Sequence, residues 1–565
     1  MSVIGTIHED VTTEVLGKIG SWQWLVTFIS TSHMMLAMFN QYEDMFLLRP
    51  SEIYCVLPNE HQIVNSSLCF ATIQNNGTEL YRCNKWHLKF LWVFWLKKTW
   101  LVFCAQKLKM LSTAIISRFG IFFGCIIFGL VSDSFGRRTA IILNVIAELT
   151  LGLMITFCDA EGWFRLIAFL KSLFGSAGFY MGLILTCEIA SNSWRSWLCV
   201  IVMSPRLLAI ACMVPFANSA PNSETFSFIS CIYAIFCLVL LRWIPESPQW
   251  LLYNRKLRAA EEILIKAAKI NNIKVCQDFK IRPVNHRAYH SLEETTTCIG
   301  MLSKYNIRVI FLVSTSFWIL YNFVWSSLYV RVYSEQDIND LLLKVFCSVG
   351  VFGCLTKCSS AKLTLRYLLL VHVVITGVST AGVILIFKGT IHWMLSTIAL
   401  GSGLVAHALI LNMTPRLFAI NIRATVVGCC HATGQLGSII SYLPFLFHPM
   451  NDITLVAIVL CATLIMAVLC LMYPDVDRRE LPDLMTDMDY FSELSKPLRW
   501  VTQKTSSPSL EEVEMTLHSF GTLPSSPSPP EEIVPARQIG CVKYWRIFIN
   551  YVRRKCSRKI YPNIS

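Results

Sequence analysis

Long apolar runs alternate with shorter polar segments along most of this chain and predict a series of membrane-spanning helices. Each run is close to the roughly 20 residues that an α-helix needs to cross a bilayer. Six runs, a long polar segment and six further runs predict an all-α membrane protein with 12 transmembrane helices in two six-helix halves. The runs cover residues 20–38, 111–131, 139–158, 163–187, 197–217, 225–244, 305–332, 338–356, 364–387, 391–412, 425–447 and 453–473.

The polar segment after the first run, residues 40–108, has the composition of an extracellular loop. It carries two N-glycosylation sequons, at Asn65 and Asn76. Four cysteines accompany them and predict disulfide bridges, whose pairing the sequence leaves open. The apolar stretch from Phe90 to Phe103 is too short, and too interrupted by lysine, to span a bilayer. The four cysteines are Cys55, Cys69, Cys83 and Cys104.

The remaining segments are predicted to lie outside the membrane, on the cytoplasmic side. The N-terminus lacks the apolar core of a cleaved signal peptide. Residues 255–268 have the periodicity of an amphipathic helix, and residues 506–535 have the composition of a disordered segment. The expected division is a cytoplasmic N-terminus at 1–20, a first half at 21–245 that includes the extracellular loop, a cytoplasmic linker at 246–304, a second half at 305–474, and a cytoplasmic, largely disordered tail at 475–565.

Composition and charge agree with a membrane protein. Charged residues make up 15% of the 565 residues, where a soluble domain has roughly 25%, and the mean hydropathy is +0.52. The formal net charge of +13 comes from basic residues between the runs and in the tail, as the positive-inside rule expects, so nucleic acid is not an expected partner. The tail ends in aromatic and basic residues, which either rest on the anionic inner leaflet or remain in solvent.

Ionisable residues inside the apolar runs are candidate solute contacts, because burying a charge in a bilayer is costly. Arg206, beside Pro205, falls near the middle of the fifth run and is the sharpest candidate. Its alternative role is to pair with an internal acid such as Glu148 or Glu188. Arg118 and Glu148 are expected to pair with each other, whereas the role of Lys171 in the fourth run is left open.

Aromatic residues and histidines add a second set of candidates. Trp318, Tyr321 and Trp325 share one face of the seventh helix and serve either packing or solute contact. His407 is a further candidate contact, although internal histidines such as His407, His33 and His431 are more often core residues than proton carriers. No nucleophile–base pair and no metal-ligand spacing is visible, so we predict no enzyme activity, no cofactor and no metal site.

Motifs at the ends of the runs carry a family resemblance. Residues 129–138, with the pattern G-x-x-x-D-x-x-G-R-R, resemble the loop between helices 2 and 3 of the major facilitator superfamily. The segment from Leu16 to Trp24, the large loop after the first run, Pro245 to Trp250, Leu417 to Arg423 and Pro474-Asp475 resemble one branch of it, the organic cation/anion/carnitine transporters (solute carrier family 22). The branch motifs are partly eroded, which is typical of a divergent member.

The erosion removes charged partners. Gln249 replaces an arginine of the branch pattern, Arg416 replaces an acid, and the second Asp-x-x-Gly-Arg loop expected near Thr356 to Thr364 is almost gone. The resemblance implies the major facilitator superfamily fold, with a charge network that latches the two halves at their cytoplasmic ends. Its predicted members are Asp133, Arg137, Arg138, Glu188, Arg195, Glu246 and Arg423.

The resemblance also implies a position for the solute. By this resemblance, Gln435 occupies a position in helix 11 where cation-transporting members carry Asp and anion- or carnitine-transporting members carry Arg. Ligand-facing aromatic positions of helix 4 correspond to Phe179 and Leu183.

The expected function is alternating-access transport of small organic ions across the plasma membrane, with both termini cytoplasmic. Arg206 favours organic anions or zwitterions over cations. The alternative is a transport-silent membrane protein of the same fold that acts through partners or through its tail. The expected partners are a small organic solute and the lipid bilayer. The oligomeric state is left open.

Overall fold

The computed structural model describes most of residues 13–48, short strands between 53 and 88, and residues 106–158, 161–206, 223–273, 305–333, 363–386, 389–446 and 451–476, with a few single residues beyond these. All of these ranges belong to one compact unit. Several sequence predictions lie outside the described residues: the stretch 90–103, most of the run 338–356, and the tail from 489 onwards. Asn76, Cys69, Cys83 and Cys104 lie outside them too.

The helices of the first half follow the apolar runs closely. They are α1 (Ser21–Leu48), α2 (Gln106–Phe135), α3 (Arg137–Thr156), α4 (Glu161–Gly175), α5 (Met181–Ile189), α6 (Asn192–Met203) and α7 (Ser223–Leu240). In α6 the helix begins at Asn192, five residues before the run 197–217, and residues 207–217 of that run, apart from Ala209, lie outside the described residues. In α1 the helix continues to Leu48, ten residues beyond the predicted span. Polar residues such as Asn40 and Gln41 do not stop a helix, and the first proline after them is Pro50.

The fourth run forms two helices rather than one. A 3-10 turn at Ser176–Phe179 separates α4 from α5 in the middle of the span. Glycines here sit against neighbouring helices: a Cβ on Gly175 would lie 2.1 Å from Glu148 Oε1, and one on Gly178 would lie 2.6 Å from Ala37 Cβ. Close approach of the neighbours thus accompanies the break.

The loop between α1 and α2 contains five short strands that the sequence reading did not predict. β1 (Ile53–Cys55) pairs antiparallel with β5 (Trp86–Leu88), with Ile53 opposite Leu88. The strands β2 (Ile63–Ser66), β3 (Phe70–Gln74) and β4 (Thr78–Arg82) form an antiparallel sheet in that order. Asn65 lies in β2, and Cys55 ends β1.

The linker between the halves begins with two helices, α8 (Pro248–Tyr253) and α9 (Leu257–Ile270). Helix α9 is the amphipathic helix expected near residues 255–268, and it buries a stripe that includes Ala260 and Leu264. The Asn271 side chain follows α9 and accepts a 2.8 Å hydrogen bond from the Trp22 backbone N–H. The linker is therefore tied to the first turn of α1.

The second half contains α10 (Tyr305–Tyr333), α11 (Leu365–Leu385), α12 (Thr390–Met413), α13 (Arg423–Leu446) and α14 (Asp452–Met472). A 3-10 turn at Thr414–Arg416 follows α12. Within the described part of the chain, seven segments are long and apolar enough to cross a membrane. Their outward side chains are apolar, for example Phe123 and Leu464, as a lipid-facing surface requires.

The two halves meet most closely along α2 and α13. A Cβ on Gly428 would lie 2.3 Å from the Cys125 carbonyl oxygen, and one on Gly129 would lie 2.7 Å from Thr425 Cα. The Tyr180 hydroxyl donates a 2.6 Å hydrogen bond to the same Cys125 carbonyl. Small residues let helix backbones approach in this way within a bilayer.

Candidate solute site and charge cluster

A buried charge cluster joins the two halves at the end of the bundle that carries Asp133 and Arg137, hereafter the inner end. Glu188 accepts a 2.8 Å hydrogen bond from Arg137 and a 2.9 Å hydrogen bond from Arg423, and all three side chains are fully buried. Arg137 also pairs with Asp133 at 3.1 Å and donates to the Ile420 carbonyl. The first half thus supplies both acids, and Arg423 comes from the second half.

Two carboxylates of the cluster cap helices. Asp133 accepts hydrogen bonds of 2.8 Å from the Thr425 N–H and hydroxyl, at the start of α13. Glu246 accepts the N–H groups of Arg137 and Arg138 at the start of α3. Anionic side chains stabilise helix N-termini in this way. Burial raises the pKa of the Glu246 carboxyl, although these N–H groups and the Arg137 charge act in the opposite direction.

Two predicted members of the charge network have other contacts. The Arg138 side chain is exposed, and its backbone N–H supplies the contact with Glu246. Arg195 is fully buried and donates to the carbonyls of Cys187 and Ala190, at the end of α5. Arginine near a helix C-terminus satisfies carbonyls that lack partners within the helix.

Arg206 does not meet Glu188, which Arg137 and Arg423 already engage. Its guanidinium contacts Nε2 of His407, on α12 of the opposite half. Arginine has only donors, so His407 accepts through Nε2 and carries its proton on Nδ1. That Nδ1 finds no hydrogen-bond partner in the described part of the molecule, although His407 is only 1% exposed.

Aromatic rings surround this contact. The ring of Trp318 lies 5.4 Å from that of His407 and 4.4 Å from that of His431. Tyr180 and Phe179, next to the break in the fourth span, stack on His431 at 5.5 and 6.3 Å. The Nε2 atom of His431 also lacks a partner among the described residues. Residues from both halves therefore build one aromatic, partly polar centre, which we call the central cluster.

The three aromatic residues on one face of α10, Trp318, Tyr321 and Trp325, have two different roles. Trp318 belongs to the central cluster, and Tyr321 lies 5.4 Å from His407 while its hydroxyl donates to the Gly403 carbonyl at 2.7 Å. Trp325 stacks on Tyr321 and packs against Gly403, where a Cβ would lie 2.5 Å from its ring. The first two positions fit a solute contact, and Trp325 fits packing.

Lys171 borders the central cluster through Phe179. A cavity of about 30 Å³, the size of one or two water molecules, is lined by Lys171, Phe179 and Ser117, together with Asn40 and residues of α4. Lys171 is 4% exposed.

Gln435 has a charged neighbour. Its Oε1 lies 3.4 Å from Nη1 of Arg118, across the interface between α2 and α13. The sequence predicted that Arg118 pairs with Glu148, and the contact of Arg118 with Gln435 was not predicted. Glu148 packs against Gly175 at the end of α4, and its pairing with Arg118 stays a prediction.

Sequence reasoning missed the importance of His431 and Tyr180. His431 was expected to be a satisfied core histidine like His33, which contacts Asn144 at 2.6 Å. His431 lies four residues before Gln435 on α13, so helical spacing from that family position was the available signal. The glycosylation of Asn65 and Asn76 and the disulfide bridges of the loop stay predictions.

Comparisons with known proteins agree with this architecture. Residues 57–474 match the family described as "Sugar (and other) transporter". Solute carrier family 22 member 2 of Mus musculus is 24% identical over 389 residues, which cover 66% of this chain and 67% of that protein. The organic cation/carnitine transporter 2 of Mus musculus is 24% identical over 402 residues, covering 69% and 71%.

Solved structures share the fold. The proton:xylose symporter XylE bound to 6-bromo-6-deoxy-D-glucose matches with a TM-score of 0.60 and 14% identity, covering 82% of this chain and 99% of that chain. A partially occluded, inward open conformation of the xylose transporter XylE from E. coli matches with a TM-score of 0.53 at 14% identity, covering 79% and 98%. The prediction of a major facilitator superfamily fold is thereby confirmed.

The match to the family extends over most of the chain, from the extracellular-type loop to the end of α14. The matching family is a transporter family, and seven segments of the described chain are able to cross a membrane, so this chain is a multi-pass transmembrane transporter and not an enzyme. The chain belongs to the sugar (and other) transporter family of the major facilitator superfamily, as a divergent member related to solute carrier family 22.

Proposed function

We propose that this protein carries small organic anions or zwitterions across the plasma membrane by alternating access, with the solute bound at the central cluster. The observation that carries the proposal is the contact between Arg206 and His407, which joins the two halves at membrane depth. An anionic solute that binds a cation at the interface of the two halves contacts both halves at once. It is therefore able to favour one arrangement of the halves over another.

The balance of buried charge supports an anion. In the described span interiors of the first half, away from the charge cluster, three buried side chains are basic and one is acidic. An excess of buried positive charge is costly in a medium of low dielectric constant, and an anionic solute offsets it. The four residues are Arg118, Lys171, Arg206 and Glu148.

The aromatic groups support a planar or amphipathic solute. Trp318, Phe179 and Tyr321 supply apolar faces, and His407 retains an N–H without a partner among the described residues. Apolar walls with a few polar groups are typical of sites for small organic molecules. Gln435 contacts Arg118 and brings no negative charge, so the site has no counter-charge for a quaternary amine at that position.

The charge cluster supports alternating access. It closes the inner end of the bundle, which we assign to the cytoplasm, and its bonds between Asp133 and α13 and between Glu188 and Arg423 cross from one half to the other. Opening toward the cytoplasm requires those bonds to break, and solute binding at the central cluster supplies part of the free energy.

The test is uptake of labelled anions, zwitterions and cations by cells that express Arg206→Ala, with surface expression measured in parallel. Anion uptake is expected to fall to background while surface expression is unchanged. Arg206→Lys is expected to retain part of the uptake, because the charge remains but the planar guanidinium is lost. Arg258→Ala removes an exposed arginine of α9 and is the matched control.

Unchanged anion uptake by Arg206→Ala would refute the assignment of this residue. Purified protein in vesicles addresses the alternative, a transport-silent member of the fold. Saturable, solute-stimulated exchange excludes silence, whereas the absence of flux for all three solute classes favours it.

A further inference from the structure

We propose a second anion site, at Arg416 on the inner end of the bundle, that takes a phosphate group. Arg416 lies in the 3-10 turn after α12 and is 5% exposed. Its Nη2 donates a 2.9 Å hydrogen bond to the Ser196 hydroxyl on α6, and its Nε has no hydrogen-bond partner in the described part of the chain. A buried guanidinium held by a single neutral hydroxyl is incompletely neutralised.

The neighbouring acids are already engaged. Both oxygens of Glu188 accept from arginines, Arg137 and Arg423, and Asp133 accepts from Arg137 and the start of α13. The surroundings of Arg416 add positive charge instead. Arg195 precedes Ser196 in the chain, is fully buried, and donates to the carbonyls of Cys187 and Ala190. An anion bound at Arg416 offsets the positive charge of that guanidinium.

The donor geometry fits a tetrahedral oxyanion. Arg416 has a free Nε–H and keeps one N–H of Nη2, because the other donates to Ser196, and phosphate oxygens accept such neighbouring N–H groups. The Ser196 hydroxyl accepts from Arg416 and retains its own proton to donate to a third oxygen. Phosphate is therefore a better match than a halide ion, which cannot accept in a bidentate manner.

The position offers two sources of phosphate. Ser196 is half-buried, so the site is reachable from outside the bundle. The indole rings of Trp194 and Trp197 on either side are exposed, and exposed tryptophans near a helix end are typical of the lipid headgroup region. The group is thus either free phosphate or the phosphate of an anionic lipid headgroup.

Occupation of this site ties the two halves together. Ser196 belongs to the first half and Arg416 to the second, at the same end of the bundle as the charge cluster. A bound phosphate therefore favours the arrangement that is closed at the inner end. This site does not depend on the solute proposed for the central cluster.

The experiment is thermal unfolding of the purified full-length protein. One arm compares inorganic phosphate with chloride at equal ionic strength in detergent, and the other compares nanodiscs containing phosphatidic acid with nanodiscs of phosphatidylcholine. The unfolding midpoint is expected to rise in at least one arm. A rise with inorganic phosphate identifies a free anion, and a rise only in the phosphatidic acid nanodiscs identifies a lipid.

Variants assign the effect to the site. Arg416→Gln is expected to weaken phosphate binding about tenfold or more, since a hydrogen bond to a charged group is worth about 1.5–3 kcal/mol. Arg206→Gln is expected to keep the phosphate effect, which separates this site from the central cluster. Arg416→Glu replaces the cation by an acid, which repels phosphate, and it remains informative if the glutamine variant does not fold.

The proposal is overturned if neither arm raises the midpoint of the wild-type protein. It is also overturned if Arg416→Glu or Arg416→Gln responds like the wild type. Loss of the response in Arg206→Gln alone would place the phosphate at the central cluster and would likewise overturn it.

Discussion

At the scale of single residues, Glu188 is the centre of the inner end. Its carboxylate receives Arg137 and Arg423, which come from different halves, and none of the three side chains reaches solvent. Buried ion pairs contribute little net stability compared with apolar packing, but the removal of one partner is expensive because it leaves a buried charge uncompensated. The Glu188 carboxylate therefore offsets the charge of two buried arginines at this interface.

Glu188→Gln is expected to destabilise the closed arrangement by about 3–5 kcal/mol, because two buried arginines lose their common acid. The measurements are the thermal unfolding midpoint and the reactivity of a cysteine introduced at Thr425, which both report opening of the inner end. Glu262→Gln removes an exposed acid of α9 and is the control. Equal midpoints for the two variants would contradict the role given to Glu188.

At the scale of helices, the pairing of α2 with α13 depends on glycine. Gly129 and Gly428 allow backbone contact between the two halves at positions where any side chain would overlap its neighbour. The same contact holds the Tyr180 hydroxyl on the Cys125 carbonyl, and the ring of Tyr180 itself stacks on His431. Helix packing and the shape of the central cluster are thus coupled at this point.

Gly428→Ala is expected to force α2 and α13 apart, at a cost of about 1–3 kcal/mol, because its Cβ would lie 2.3 Å from the Cys125 carbonyl oxygen. Lower thermal stability and reduced uptake are the expected results. In Gly162→Ala the new Cβ meets nothing within 4 Å, and this control is expected to be neutral or slightly stabilising. A neutral Gly428→Ala would show that the helices are able to separate freely.

At the scale of the whole molecule, the two halves are joined at the inner end and share the central cluster. The bonds from Asp133 to Thr425 and from Glu188 to Arg423 lie at one end, and the contact of Arg206 with His407 lies deeper in the bundle. This arrangement matches a carrier closed toward the side that we assign to the cytoplasm.

The orientation in the membrane is tested by accessibility. Epitope tags at either terminus are expected to bind antibody only after cells are permeabilised, because basic segments between spans favour the cytoplasmic side. Asn65→Gln and Asn76→Gln are each expected to increase electrophoretic mobility, as one glycan is lost from the loop. Tags that react on intact cells, or a loop that carries no glycan in wild-type protein, would reverse the orientation.

The sequence by itself determined the elements and their order. Spans were predictable because hydropathy over about 20 residues is a local property, and the described helices follow the predicted runs closely. Periodicity was less successful where contacts with neighbouring segments set the backbone conformation. The 3-10 break at Ser176–Phe179 and the strands between α1 and α2 arise from contacts that periodicity does not record.

Only the tertiary structure decided which charges meet. Glu188 and Arg423 are 235 residues apart, Arg206 and His407 are 201 apart, and Arg118 and Gln435 are 317 apart. Burial cost marked Arg206 and Arg118 as candidates, and the family resemblance marked Glu188, Arg423 and Gln435, but the partner of each residue depends on how the helices pack. That packing is set by glycine contacts and side-chain volumes spread over both halves, and no single stretch of sequence contains them.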